Sequence, residues 1–229
     1  MSQMLFFFLS SLLILASLQR THAGVQYAVM NKAVGTPGGD RFAREIDTQL
    51  SISTMTSASE FIWKTLQQSE ADRKNVEKVT LIVEVMDVAL AYEFNNEIHL
   101  SEDFIAKYEG DLKTMFIGII YHEMTHVWQW NGNGQTPPGL VEGIGDYVRF
   151  AAGYAAPQWA KPGDGQKWDE GYSVTARFLE YCNTLSNGFV AKLNAMMKTN
   201  YSDHFFVDLL GKTVDQLWND YKSKYHGAL

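Results

Sequence analysis

Two histidines four residues apart, with a glutamate beside the first, are the part of this sequence best suited to chemistry: His122-Glu123-Met124-Thr125-His126. On a helix, residues i and i+4 share a face, so both imidazoles reach one ion and Glu123 stands next to the water that ion would carry. This is the HExxH spacing of zinc hydrolases. Met115 and Ile119 continue the same stripe, which turns His122 and His126 inward, where unpaired imidazoles are costly to bury. A bound Zn2+ would satisfy them. Further along, Glu142 and Asp146 repeat the four-residue spacing. Glu142 can complete a two-His, one-Glu site with a position open to water, and Asp146 can take the second ring proton of a liganding histidine. The opposite assignment, Asp146 as ligand, stays open at this point. Gly143, beside Glu142, reads as the small residue that lets this second helix approach the first. A metzincin would place Gly and His three and six positions after His126, where Gln129 and Gly132 stand, so that pattern is excluded.

The elements that must position these residues are legible in outline. Asp111 can cap a helix running to Trp130, which Asn131-Gly132-Asn133-Gly134 then ends. A second helix begins near Leu140, after Pro137-Pro138, and Ser173 opens a third that holds Phe178 and Leu179. Thr213-Val214-Asp215-Gln216 has the capping-box pattern and starts a last helix carrying Leu217, Trp218 and Tyr221. Earlier in the chain, Thr36-Pro37-Gly38-Gly39 reads as a turn, and Met55, Ala58, Ile62 and Leu66 recur on one helical face. Val79 to Val85 is a β-branched strand, and Glu97 to Leu100 a short second strand beyond the Asn95-Asn96 turn. Strands early and helices late predict an α+β domain. Short strands of the second kind can pair with an extended peptide, a role for the backbone around His99 rather than for its imidazole. Trp128, Trp130 and Trp168 are candidates for a cleft wall, with core packing favoured for Trp128. Tyr172 lies in the downstream segment where HExxH enzymes with a glutamate ligand often place a Tyr or His, so by that resemblance its phenol could donate a hydrogen bond to a developing oxyanion; a core or cap residue at a helix start is the other reading.

Composition bounds the function classes. Of 229 residues, 46% are hydrophobic, and 26 Asp plus Glu outnumber 19 Lys plus Arg, for a formal charge of -7. The chain should fold, and it offers no basic footprint for nucleic acid or an anionic membrane. Leu5 to Leu18 is an apolar run too short to span a bilayer, and it ends at Thr21-His22-Ala23 with small residues where a signal peptidase reads. Residues 1–23 are therefore expected to be a secretory leader and 24–229 a single exported domain that stays off the membrane. Cys182 is the single cysteine, so no intramolecular disulfide can form and packing or a bound ion must supply stability. Its apolar neighbours place it in the core. Asn200-Tyr201-Ser202 is a sequon that can carry an N-glycan after export.

Several stretches together resemble the plant basic secretory proteins. They are Thr36-Pro37-Gly38-Gly39, Tyr121-His122-Glu123, His126-Val127-Trp128-Gln129-Trp130, Glu142-Gly143-Ile144, Asp146-Tyr147-Val148-Arg149 and Trp168-Asp169-Glu170-Gly171-Tyr172. The likeness continues to Leu217-Trp218 and Tyr221-Lys222. It implies a pathogenesis-related, zincin-like metallopeptidase of the plant apoplast, with a small N-terminal sheet, an active-site helix and a mainly helical second half. Peptides or proteins would be its substrates; by resemblance to glutamate-ligand zinc peptidases, in which the downstream Asp contacts the first histidine, Asp146 would contact His122. The acidic charge departs from the family's name. On this reading zinc acts as Lewis acid and Glu123 as proton shuttle. The rival is a defence protein using the same fold as a binding module; such a protein would be at liberty to lose Glu123, and Glu123 is present.

Overall fold

The computed structural model describes residues 20–22, 24–87 and 89–226. The expected leader lies outside them except for Arg20–His22, a three-residue strand, β1, antiparallel to β2 (Val25–Asn31). Helices α1 (Pro37–Glu45) and α2 (Asp47–Thr65) follow, then β3 (Lys78–Glu84), β4 (Ala91–Phe94) and β5 (Glu97–Ser101). The five strands form one mixed sheet in the order β1-β2-β3-β5-β4, with β2-β3 and β3-β5 parallel and β4-β5 antiparallel. The remainder is helical: α3 (Glu102–Lys107), α4 (Leu112–Trp128), α5 (Pro138–Ala151), α6 (Tyr172–Leu185), α7 (Phe189–Met196), α8 (His204–Leu210) and α9 (Val214–His226). The architecture is α+β, with the sheet early and a mostly helical second half, as the sequence predicts. None of the described helices is long and apolar enough to cross a membrane.

Helix α4 is the centre of the molecule. Asp111 caps it, its Oδ1 accepting from the Thr114 amide at 3.1 Å. From Leu112 to Trp128 most side chains are buried, Phe116, Ile120, Met124 and Val127 among them. Each such side chain contributes roughly 1.5–3 kcal/mol through removal from water. A helix enclosed on nearly every side is held in place by its neighbours, chiefly α2, α5 and β4. Trp128 is fully buried, donating from Nε1 to Ser59 Oγ at 3.0 Å and packed edge-on to Trp63. Cys182 is likewise fully buried, and burial pushes its thiol pKa up, so it is inert core. The Asn200 sequon is exposed.

The structure differs from the sequence reading at four places. Thr36 to Gly39 is the start of α1: the Thr36 hydroxyl accepts from the Gly39 amide and Pro37 occupies the first turn, a position proline tolerates because its missing N–H has no helical partner. Helix α4 ends at Trp128 rather than Trp130, because Gln129 turns to extended backbone (ψ 146). The Glu97–Ser101 strand is interior, bonded to β3 on one side and β4 on the other, so its backbone is unavailable to a peptide. The edge is β4, which reaches β5 through Asn95 and Asn96 at φ 53 and 62, the left-handed pair of a two-residue hairpin. His99 hydrogen-bonds Glu84 at 2.6 Å and stacks on Tyr92, a structural role.

Candidate metal centre

Helices α4 and α5 lie side by side and bring His122, His126 and Glu142 together. One ligand atom from each lies within 4.8 Å of the other two. Nε2 of His122 is 3.1 Å, and Nε2 of His126 3.7 Å, from Oε2 of Glu142. Bonds of roughly 2.0–2.1 Å to a tetrahedral ion place neighbouring ligand atoms about 3.3–3.4 Å apart, a spacing the two measured separations bracket. A donor set of two imidazoles and one carboxylate suits Zn2+ and leaves a fourth position for water. Close approach of the helices depends on Gly145, where a Cβ would come 2.9 Å from His122 Cε1. Gly143, expected to make room for α4, instead faces α6: a Cβ there would come 2.2 Å from Thr175 Cγ2.

Behind the ligands, both remaining ring nitrogens are engaged. Asp146 Oδ1 is 2.8 Å from His122 Nδ1, and both residues are buried. Asp146 therefore sits behind His122, while Glu142 faces the cluster. Gln129, just past the end of α4, lies with its side-chain amide 2.8 Å from His126 Nδ1 and 3.2 Å from the Val141 carbonyl. Sequence reasoning missed this contact. The signal was the end of the helix: a polar residue three positions after His126 folds back on the ring only because the backbone leaves the helix there.

The cluster lines a cleft of about 770 Å³, together with β4, Ala156, Gln158, Trp159 and Tyr172. Glu123 lines it, is nearly buried, and makes no side-chain hydrogen bond among the described residues. Burial pushes its carboxyl pKa up, against the pull of His122 and His126. Tyr172 stacks over His122, ring centroids 6.0 Å apart and planes 14° from parallel. Its backbone is in the left-handed region (φ 44), directly after Gly171 at φ 101. A non-glycine residue there is strained by about 1–2 kcal/mol. Thr175 holds the turn, its Oγ1 accepting from Gly171 N and donating to the Trp168 carbonyl, both at 2.8 Å. Burial, and then the charges of Glu142, Glu123 and Asp146, push the phenol's pKa up and keep it a donor. Of the tryptophans nominated from sequence, Trp128 is core and Trp168 packs on Phe206 and Phe178. Trp130 lies outside the cleft, between Lys74 and Lys198. The cleft's indole is Trp159, in a loop without periodicity to mark it.

A family model, BSP, described as a peptidase of plants and bacteria, matches residues 22–221. The chain belongs to that family. Over 59 residues it is 48% identical to a protein named basic secretory protease from Boswellia serrata, a stretch covering 26% of this chain and 67% of that relative. Membership makes this a chain of a peptidase family, with peptides or proteins as the corresponding substrate class. The relative is named secretory and basic; this chain, at a formal charge of -7, is acidic.

Without an ion, the charges of this cluster give the family member a testable pH signature. Burial alone would pull the His122 pKa down, but hydrogen bonds to Asp146 and Glu142, with the charge of Glu123 nearby, push it from 6.5 up to about 10 in the absence of an ion. The same histidines hold the Glu142 carboxyl well below its usual 4.5, against burial. A raised imidazole pKa stabilises fully below 6.5 and is lost as pH climbs toward 10, whereas a depressed carboxyl is lost as pH falls below 4.5. Protein stripped with chelator should accordingly melt highest between these limits, and its Tm should fall from pH 6.5 to 10. Thermal melts across that range check it; a Tm that rises with pH would contradict the ion-pair description.

Proposed function

We propose that this chain is a secreted zinc peptidase of zincin-like fold, residues 1–23 being its leader and 24–229 its single domain. What supports the reading most is the arrangement in one cleft of His122, His126 and Glu142, with Asp146 behind His122 and an unbonded Glu123 beside it. Family membership supplies peptide-bond hydrolysis as the chemistry. Defence in the plant apoplast fits the secretory relative.

His122, His126 and Glu142 would hold Zn2+, and Asp146 would fix the His122 tautomer by accepting its Nδ1 proton. Bound there, zinc supplies a lowered pKa for water and polarisation of the scissile carbonyl. Glu123 takes the proton from the attacking water and delivers it to the departing amine nitrogen, a role that a carboxyl pKa raised by burial favours. Tyr172 donates its phenol hydrogen to the carbonyl oxygen as negative charge develops there. The outer edge of β4 offers backbone groups to an extended peptide, which would lie along the cleft above α4.

Tyr172→Phe is expected to lower kcat by about 10²- to 10³-fold, the usual consequence of removing one oxyanion donor, with KM little changed. Steady-state kinetics on one peptide check it, and wild-type kcat would remove Tyr172 from the mechanism. The reading as a whole is tested by elemental analysis beside a cleavage assay. Wild-type protein should carry one zinc per chain and cleave an unfolded protein substrate. His126→Ala should carry far less zinc, melt lower because no disulfide compensates, and cleave little. Full zinc content and an unchanged Tm in that variant would make His126 a core histidine.

A further inference from the structure

The cleft is acidic, with Glu93, Glu123, Glu142 and Asp146 on its walls, yet it also carries Arg149, the sole lysine or arginine among the described residues that line it. Arg149 lies three positions beyond Asp146 on α5 and packs against α4 at Gly118, where a Cβ would come 2.8 Å from its Nε. Gly118 is one helical turn before His122, so the guanidinium sits one turn along the cleft from the His122–Asp146 contact. Nε donates to the Tyr154 carbonyl at 2.9 Å, and Nη2 approaches Met115 Sδ, a weak acceptor, at 3.3 Å. A guanidinium has five N–H donors. Among the described residues, no ion pair or further hydrogen bond engages the others, Nη1 included. Burial pulls the group's pKa down, a mark of partial dehydration, against the opposing pull of the Asp146 and Glu123 charges. Beside it stands Trp159, ring centroid 5.8 Å from Arg149 Cζ, whose buried indole N–H has no acceptor among the described residues. This end of the cleft gathers hydrogen-bond donors and lacks their acceptors.

A partly dehydrated cation with no carboxylate of the described residues in ion-pair contact is costly, and the planar fork of arginine matches a carboxylate in shape and charge. We propose that Arg149 is the carboxylate-binding residue of the cleft, recognising an acidic side chain or a free C-terminal carboxylate of the peptide. The inference rests on the peptidase reading of the same cleft and adds its substrate class. Such an enzyme prefers peptides with a carboxylate on one side of the cleaved bond. The surrounding acidic wall keeps that preference local, since a peptide acidic throughout would be repelled by Glu93 and the metal-site carboxylates.

The test uses the mature, zinc-loaded chain and alanine-based hexapeptides carrying Glu or Gln at each position in turn, ending in a free acid or an amide. For the favoured position, wild type should show a kcat/KM ratio for carboxylate over neutral partner of about 10- to 100-fold, the usual yield of a charge-assisted hydrogen bond. Arg149→Gln should bring the ratio near one, and Arg149→Lys, a point charge without the fork, should keep part of it. The Glu/Gln pairs and the acid/amide pairs separate the two sources of carboxylate. The same ratio is read as relative Kd on a Glu123→Gln background, so a chain that cleaves nothing still answers. A Kd ratio that Arg149→Gln abolishes upholds the carboxylate site even if the peptidase reading fails. A wild-type ratio of one, a ratio unchanged in Arg149→Gln, or no binding of either peptide overturns the proposal. A fall in turnover or Tm with the ratio intact would reduce Arg149 to its bond with Tyr154.

Discussion

Glu123→Gln is expected to keep its zinc and its fold and to lose about 10²- to 10⁴-fold in kcat, the range that a positioned general acid-base group supplies. The side chains are nearly isosteric, and Glu123 makes no side-chain hydrogen bond among the described residues that the amide would disturb. The role proposed for it is to accept and deliver a proton, which an amide cannot do. Removing a charge from a nearly buried site that already disfavours it should leave Tm equal or slightly raised. Kinetics, elemental analysis and a thermal melt on one preparation separate the possibilities. Wild-type turnover would take Glu123 out of the chemistry, and lost zinc would make it a ligand.

The second large effect distinguishes Glu142 from Asp146. Glu142 faces both Nε2 atoms, at 3.1 and 3.7 Å, whereas Asp146 touches Nδ1 of His122 on the far side of the ring. Glu142→Ala should therefore empty the site at ordinary zinc concentrations. Asp146→Asn keeps a group behind the ring and loses its charge, which typically costs about 10- to 100-fold in metal affinity or activity. That variant should refill when excess zinc is added. Zinc titrations against a competing chelator check the order; Asp146→Asn binding more weakly than Glu142→Ala would make Asp146 the ligand.

These assignments were legible in sequence to different depths, for physical reasons. The pairs His122/His126 and Glu142/Asp146 could be read because helical spacing fixes which side chains share a face, whatever the tertiary structure. Which carboxylate faces the cluster depends on how α5 docks on α4, and that is set by Gly145 packing on the His122 ring rather than by Gly143. The β4 edge was hidden because a four-residue, half-exposed strand has no periodicity to show, although the Asn95-Asn96 hairpin announced one. Thr36 to Gly39 misled because proline and glycine mark turns and helix starts alike. Gln129, Trp159 and Arg149 enter the cleft from a helix end, a loop and a helix flank, and contacts between such places follow from packing alone.

Activity against zinc equivalents in chelator-stripped protein tests the zinc-peptidase account most directly. The mature chain, stripped and then titrated, should recover cleavage of an unfolded protein substrate in proportion to added zinc and reach its plateau at one ion per chain. Undiminished cleavage by the fully stripped protein would contradict it.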